Sequence, residues 1–266
     1  MISVVIPLYN AEQTIETALN SIRKQTYPRE EFEIIVINDG STDNSRSVVL
    51  NYIKTHPDMN IRMIDQENGG VSRARNTALK AGKGDYFALL DSDDEWLPEK
   101  TERQINYFKK EPGIDFLAAR RNNSEILFPY KVKSNLAEIT FKKLLIRNEA
   151  QPSTVIFKRK ILENTGYFDD DQRYTEDVNY WLRISLKNQM YILDESLVIA
   201  GGGKRTFGSS GLSANLSAME KGYKKNLKEM YALGNLTALQ YFALRIFYKV
   251  KYLFLLIRVF YYNNKS

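Results

Sequence analysis

The chain has 266 residues, of which 43% are apolar and 26% are charged, a composition typical of a globular protein that buries a full core. It has no cysteine, which excludes a disulfide framework, a thiolate metal site and a thiol nucleophile. Its one histidine, His56, argues against a histidine-rich metal site or a Ser-His-Asp triad. A bound metal would therefore be a hard cation held by oxygen ligands.

The formal charge of +6 is unevenly distributed. Residues 221–266 contain nine Lys and Arg and a single acid, Glu229, which leaves about −2 on residues 1–220. The basic character therefore belongs to the C-terminal tail. The main part of the chain lacks the basic surface that nucleic-acid binding requires.

The first half predicts strands that alternate with helices. The strands, apolar throughout, are Ile2–Ile6, Phe32–Ile37, Ile61–Ile64 and Tyr86–Leu90. The helices are predicted after a capping box of Asn10 and Gln13, near Ser41–Asp43, and after Gly69-Gly70. Strands of this kind, separated by helices, indicate an α/β fold with a mostly parallel sheet covered on both faces.

The second half is less regular. It predicts strands at 116–119, 153–157 and 191–199, helices at 140–147 and from Thr175 onward, and a flexible basic loop from Gly201 to Gly211. Functional residues of such folds gather at the carboxyl ends of the strands. Four strand ends carry polar or glycine-rich segments here, at 9–10, 39–40, 68–70 and 91–94.

The tail from about Ala238 to Tyr262 is strongly apolar, but it is interrupted by Arg245, Lys249, Lys251 and Arg258. No uncharged stretch of the tail is therefore long enough to span a membrane. On a helical wheel its apolar residues fall on one face, and the cations with most tyrosines fall on the other. This pattern predicts an in-plane membrane helix over 238–262. The alternative is a helix that packs on its own domain or on a partner subunit.

The run Asp91-Ser92-Asp93-Asp94 places three carboxylates at the end of a buried strand, where they repel one another unless a cation neutralises them. Mg²⁺ or Mn²⁺ would do so and would leave positions for substrate phosphates. The alternative is a turn whose aspartates cap the following helix near Trp96–Pro98.

Other polar residues each allow two interpretations. Glu176 and Asp177 open a helix, where acids also complement the helix dipole. Asp39 would accept hydrogen bonds from a base or a ribose, or would shape its turn. Arg73 and Arg75 open a helix after a Gly-Gly turn, where backbone N–H groups and cations can bind a phosphate. The alternative is that both are surface arginines that contact only solvent.

Taken together, five segments resemble glycosyltransferase family 2, with its GT-A fold. They are SVVIPLYN at 3–10, INDGSTD at 37–43, NGGVSRARN at 68–76, DSDD at 91–94 and TED at 175–177. The resemblance covers about residues 1–210. It implies an inverting, metal-dependent transferase with a catalytic domain at 1–215, divided into a nucleotide-binding half (1–95) and an acceptor half (96–215), and a basic helical tail at 216–266.

The resemblance also implies roles for individual residues. The nucleotide-binding residues would be Pro7, Tyr9, Asp39, Arg73, Arg75, Asp91 and Ser92. Asp93, with Asp91, would hold Mn²⁺ or Mg²⁺. Asp177 would be the catalytic base beside Glu176, and Trp181 would lie by the acceptor. Many relatives have a histidine late in the sequence that lies near the metal or the diphosphate, and this chain has no histidine after His56. Lys204 and Arg205 would screen the charge of the diphosphate in its place.

These implications predict transfer of a sugar from a nucleotide diphosphate, UDP by the resemblance, to a saccharide or lipid-linked saccharide. The N-terminus shows no secretory signal, so we expect a cytoplasmic enzyme, peripheral on the inner face of the membrane. The rivals are an inactive sugar-nucleotide-binding relative and a sugar-nucleotide pyrophosphorylase. Pro7–Asn10 stands where a pyrophosphorylase has a glycine-rich loop, and a dinucleotide-dependent oxidoreductase would need a G-x-G-x-x-G motif that the sequence lacks.

Overall fold

A computed structural model describes residues 1–203 and 215–263 of the chain. Within these ranges the strands are β1 Ile2–Leu8, β2 Phe32–Asp39, β3 Ile61–Gln66, β4 Tyr86–Leu89, β5 Glu95–Trp96, β6 Phe116–Arg121, β7 Val132–Lys133, β8 Leu136–Ile139, β9 Ile156–Lys158 and β10 Met190–Ile199. The helices there are α1 Ile15–Arg23, α2 Ser45–Thr55, α3 Val71–Ala81, α4 Lys100–Lys110, α5 Phe141–Leu144, α6 Lys160–Thr165, α7 Glu176–Ser185, α8 Leu216–Ala232 and α9 Ala238–Asn263.

The strands form one sheet in the order β3-β2-β1-β4-β9-β6-β10-β8-β7, and β5 pairs with β10. The strands β1 to β4 are parallel, as predicted from their apolar sequences and the helices between them. The second half adds antiparallel strands, because β9 lies between β4 and β6 and runs against both. The sheet is continuous through both halves of the predicted catalytic domain.

Both faces of the sheet are covered, as the uninterrupted apolar strands predict. Val5 of β1 packs into the core on one face, together with Trp181. Its neighbours Val4 and Ile6 pack into the core on the other face, together with Trp96. Side chains alternate across a strand, so one apolar run supplies both cores.

Three local predictions were wrong. The strand predicted at 153–157 begins only at Ile156, because Pro152–Thr154 form a 3₁₀ turn. Helix α1 begins at Ile15, and Asn10 does not cap it; its side-chain oxygen accepts from the Thr42 backbone N–H at 2.8 Å instead. Asn10 thus ties the loop after β1 to the loop after β2. The helix predicted at 140–147 ends at Leu144. After it, the Ile146 N–H donates to the carbonyl of Lys143, three residues earlier, which is the spacing of a 3₁₀ turn.

The tail forms a hairpin of α8 and α9 that packs on the catalytic domain. The Tyr248 hydroxyl donates to the Leu145 carbonyl at 3.0 Å, and its ring stacks on Tyr223 of α8 at 4.7 Å. The opposite face of α9 is exposed and apolar, for example at Ile246. Among the described residues, none of the helices combines the length and apolarity that a bilayer crossing demands.

Candidate active site

A cleft of about 1510 Å³ lies at the carboxyl ends of β1, β2, β4 and β6. The end of β1, with Pro7, and the loop after it, with the half-exposed ring of Tyr9, line one side of it. Ser92 and Asp93, after β4, also line it, and so does Asp177 at the start of α7. Parallel strands end at one edge of a sheet, and this is why the scattered motifs of the sequence meet there.

The carboxylate of Asp39 holds the glycine turn that precedes α3. Its Oδ1 accepts from the Gly69 N–H and its Oδ2 from the Gly70 N–H, both at 2.8 Å. Gly70 adopts a φ of 85°, which glycine allows at no steric cost. Asp39 is buried at the wall of the cleft, and the structure therefore shows the turn-shaping role that the sequence left open.

Arg75 of α3 bridges two parts of the site. One terminal nitrogen donates to Asp91 Oδ1 at 2.8 Å, and the other donates to Glu176 Oε1 at 2.9 Å. The side chain of Arg75 is only 3% exposed. Burial alone would lower the pKa of Arg75, but the carboxylates of Asp91 and Glu176 raise it above its ordinary value. The guanidinium is therefore a permanent buried cation that fixes the end of β4 to the start of α7.

The three aspartates after β4 occupy different environments. Asp94 is buried, and its oxygens accept from the Ser153 hydroxyl and from the Gly201 N–H. Burial, with the neighbouring charge of Asp91, raises the pKa of Asp94 to about 7. Asp91 is partly exposed, and Asp93 is exposed on the cleft side. Asp94 thus holds the loop in place, while Asp91 and Asp93 face the cleft.

The donor set fits a divalent metal that is completed by substrate. Asp93 and the second oxygen of Asp91 offer hard carboxylate ligands, which Mg²⁺ and Mn²⁺ prefer. In the part of the chain that the structure describes, no group of three or more acidic, histidine or cysteine side chains could hold a metal alone. Such a metal would therefore depend on phosphate oxygens for much of its coordination, as Mg²⁺ commonly does.

Asp177 has the environment of a general base. Its Oδ2 accepts from the Asn148 amide at 2.9 Å, and the side chain is partly exposed to the cleft. Burial raises the pKa of Asp177 to about 7, and the nearby charge of Glu176 contributes further. A carboxylate with a pKa near neutrality accepts protons better than an ordinary aspartate at the same pH. Glu176 points the other way, into its ion pair with Arg75.

The turn before Asp177 is strained and is held by α8. Thr175 has a φ of 54°, unusual for a β-branched residue. The Asn226 amide donates to the Thr175 carbonyl at 3.1 Å and to its hydroxyl at 3.3 Å. Gly222 lies so close that a Cβ there would be 2.6 Å from the Tyr174 carbonyl oxygen. Strain of this kind persists when the surroundings over-determine it, and it is common at active sites.

Two predicted placements were wrong. Trp181 is fully buried and donates to the Ala150 carbonyl at 2.9 Å, because its helix turns that face toward the core; it cannot contact an acceptor. Arg73 lies outside the cleft, on the exposed side of α3 near Asp171. Arg75, two residues later on the helix, points inward instead. Lys204 and Arg205 lie outside the described residues.

Several residues of the site were not predicted from the sequence. Asn148, Tyr223, Asn226 and Arg258 are ordinary surface types in the sequence, with no motif around them. Their positions depend on the loop before β9 and on the α8–α9 hairpin, and Tyr223 and Arg258 of the hairpin line the cleft. No local pattern in the sequence singles out any one of them.

Comparisons with known proteins agree with this geometry. The family model described as "Glycosyl transferase family 2" matches residues 3–175. The UDP-Glc:α-D-GlcNAc-diphosphoundecaprenol β-1,3-glucosyltransferase WfgD of Escherichia coli is 32% identical over 219 residues, which are 81% of this chain and 80% of WfgD.

Two solved structures share the fold. The S. aureus TarS fragment 1–349 in complex with UDP-GlcNAc has a TM-score of 0.67 at 23% identity, covering 86% of this chain and 66% of the fragment. This chain spans only 39% of a longer TarS structure. The mannosyltransferase PcManGT of Pyrobaculum calidifontis, in complex with GDP-Man and Mn²⁺, has a TM-score of 0.69 at 21% identity, covering 94% of this chain and 69% of that one.

Proposed function

Because the chain belongs to glycosyltransferase family 2, we propose that it transfers a sugar, with inversion, from a UDP-sugar to a hydroxyl of a saccharide or lipid-linked saccharide. One observation carries the proposal. A single cleft contains Asp93 after β4 and Asp177 at the start of α7, and Arg75 joins their neighbours Asp91 and Glu176. Arg75 thus ties the loop that carries Asp93 to the turn that carries Asp177, and this supports our assignment of the donor side to Asp93 and the acceptor side to Asp177.

The chemistry divides between the two sides of the cleft. Asp177 takes the proton of the acceptor hydroxyl while the oxygen of that hydroxyl attacks the anomeric carbon. The bond between the anomeric carbon and the diphosphate breaks on the opposite side of that carbon. Asn148 orients the carboxylate through its bond to Oδ2. Because the pKa of Asp177 is about 7, the carboxylate can accept the proton at neutral pH and release it afterwards.

The departing diphosphate carries the charge that must be stabilised. Mn²⁺ or Mg²⁺, held by Asp93 and Asp91, would supply electrostatic stabilisation of the leaving diphosphate. Tyr9, half-exposed at the wall of the cleft, offers a ring on which a nucleobase stacks. Asp39 Oδ2, engaged by the Gly70 N–H, retains capacity to accept from a base N–H.

The choice of substrates draws on the named relatives. WfgD is named for a UDP-glucose donor and a diphosphoundecaprenol-linked acceptor, and the TarS fragment was solved with UDP-GlcNAc. PcManGT, solved with GDP-Man, shows that the same fold also accommodates guanosine. We propose UDP for this chain because WfgD, 32% identical over 81% of this chain, is named for a UDP-sugar donor.

The outward face of α9 supports peripheral attachment to a membrane, which we place at the inner face of the cytoplasmic membrane. Its apolar side chains are exposed over about five turns, namely Leu239, Phe242, Ile246, Val250, Leu253, Phe254 and Ile257. Arg245 and Lys249 border this stripe on one side, and both are exposed. An exposed apolar stripe bordered by cations suits an in-plane helix on anionic lipids.

A diphosphate-release assay over UDP-, GDP- and dTDP-sugars, with Mn²⁺ and with chelator, tests the proposal. We expect Asp177→Asn to abolish transfer while retaining donor binding, because the base does not hold the donor. We expect Asp93→Asn to lose metal-dependent donor binding as well. Full activity in either variant contradicts the mechanism. Donor binding without turnover in the wild-type protein would favour the inactive relative instead.

A further inference from the structure

One side of α8 faces the turn that leads into the proposed base. Gly222 packs so closely on this turn that a Cβ there would clash with the Thr175 hydroxyl. Asn226, one helical turn later, donates to the Thr175 carbonyl at 3.1 Å. Met219 and Tyr223 lie with these two positions in an arc of about 100° around the helix axis, and both line the cleft. Helix α8 therefore supplies part of the cleft wall beside the proposed base.

The ring of Tyr223 is held in place by α9. It stacks on the ring of Tyr248, with the two centroids 4.7 Å apart, and the Lys251 ammonium lies 6.0 Å from the centroid of the Tyr223 ring. Tyr248 is itself fixed to the catalytic domain, because its hydroxyl donates to the Leu145 carbonyl at 3.0 Å. The packing of the two helices therefore sets the position of the Tyr223 ring.

The hydroxyl of Tyr223 makes no hydrogen bond within the part of the chain that the structure describes. Its side chain is partly exposed, and it lines the cleft together with Asp177. Burial and, after it, the negative charge of Asp177 raise the pKa of Tyr223. The hydroxyl therefore keeps its proton at neutral pH and can donate it in a hydrogen bond to a molecule in the cleft.

We propose that the Tyr223 hydroxyl donates a hydrogen bond to an oxygen of the acceptor sugar. This rests on the proposed function, because it assigns a residue to the acceptor of that same site. Asp177 takes the proton of the attacking hydroxyl, so a second polar group beside that carboxylate meets the rest of the acceptor sugar. The nucleotide and its diphosphate lie elsewhere in the proposed site, at Tyr9 after β1 and at Asp93 after β4.

A tyrosine suits a sugar in two ways. Its hydroxyl bonds to a sugar oxygen, and its ring offers an apolar surface to the C–H groups of the sugar. Met219, one helical turn earlier, adds a flexible apolar side chain to the same wall. A site that hydrogen-bonds a particular oxygen discriminates against an acceptor that lacks it, because the polar group of the site is then left without a partner. Tyr223 therefore favours a sugar over a simple alcohol.

Calorimetry tests the contact, with the donor site filled by UDP and Mn²⁺. The probes are the octyl glycosides of glucose, galactose, N-acetylglucosamine and rhamnose, with octanol as the reference that lacks a sugar. The variant Tyr223→Phe keeps the ring and its stack on Tyr248. The matched control is Tyr231→Phe, which removes one hydroxyl from a 42% exposed position of α8 outside the cleft. We expect Tyr223→Phe to weaken the tightest-binding glycoside about fivefold and Tyr231→Phe to leave its affinity unchanged.

The proposal is overturned if no glycoside binds the wild-type protein more tightly than octanol, if the two variants behave alike, or if Tyr223→Phe weakens the binding of UDP-sugars instead. Release of UDP from UDP-sugars, with and without glycoside, is measured on the same samples. Wild-type release of UDP, together with equal glycoside binding by the two variants, removes the acceptor contact and leaves the proposed function standing. A wild-type protein that releases no UDP from any UDP-sugar would count against the proposed function itself.

Discussion

The Asn226 amide donates to the carbonyl of Thr175, 51 residues earlier in the chain, at 3.1 Å. Thr175 precedes Glu176 and Asp177 and has a left-handed backbone conformation at the turn that leads into them. The Asn226 side-chain oxygen in turn accepts from Gln172 at 2.7 Å, so both ends of its amide are used. The hairpin of α8 and α9 therefore supports the turn that leads into Asp177, the proposed base, through the side chain of Asn226.

Removal of this support should slow the reaction more than it weakens donor binding. We expect Asn226→Ala to lower kcat roughly tenfold or more, because a small displacement of a base is costly, while the KM for the donor stays within about twofold. Steady-state kinetics measure both constants. Lys228→Ala, an exposed change on the same helix, is the control. An equal loss in kcat and donor affinity would indicate general unfolding instead.

The pH dependence of transfer should report Asp177. Its pKa is about 7, so kcat/KM should rise with pH up to about 7 and level off above it. Asn148 stabilises the charged carboxylate by donating to it, and Asn148→Ala should therefore raise the pKa and move the midpoint to higher pH by about one unit.

The pH profile of the Asn164→Ala variant provides the comparison for Asn148→Ala. Asn164 bonds to Asn188, away from the cleft, so its removal should leave the midpoint in place. A wild-type rate that is flat between pH 5.5 and 7.5 would exclude Asp177 as the titrating base.

Arg75 should be essential for stability, since its loss leaves two carboxylates without their buried partner. We expect Arg75→Met to reduce the free energy of unfolding at pH 8 by about 3 kcal/mol. Burial already raises the pKa of Glu176, so that carboxyl can take up a proton, and the loss should be smaller at pH 5.

Urea denaturation at the two pH values measures the effect of Arg75→Met. Arg73→Met is the matched control, because Arg73 lies on the same helix with its side chain 56% exposed. It should change stability by less than about 0.5 kcal/mol. Equal effects of the two substitutions would show that the ion pairs of Arg75 contribute little.

The apolar face of α9 should decide vesicle binding. The residues Ile246 and Ile257 are 67% and 65% exposed, and changing both to Ser should leave the fold intact and weaken binding to anionic vesicles tenfold or more. Co-sedimentation measures the bound fraction. Leu50→Ser, an exposed change on α2, is the control. Unchanged vesicle binding, with loss of a dimer in ultracentrifugation, would assign the face to a partner subunit.

The sequence by itself determined the parallel half of the sheet and the places where its loops carry chemistry. These predictions succeeded because apolar runs and glycine turns determine the structure of their own segments. In addition, the carboxyl ends of parallel strands lie at one edge of the sheet. It also indicated that α9 has an apolar face, a property of helical periodicity alone. The resemblance to the family then grouped Asp39, Asp91, Asp93 and Asp177 in one site.

Only the tertiary structure decided what each polar side chain does there. Arg73 and Arg75 are equivalent in sequence, but the packing of α3 exposes the first and buries the second between two carboxylates. Trp181 belongs to the core and not to the cleft, since neighbours distant in sequence surround it. Asn226 and Arg258 reach the site because the hairpin folds back on the domain, a long-range contact that no local pattern encodes.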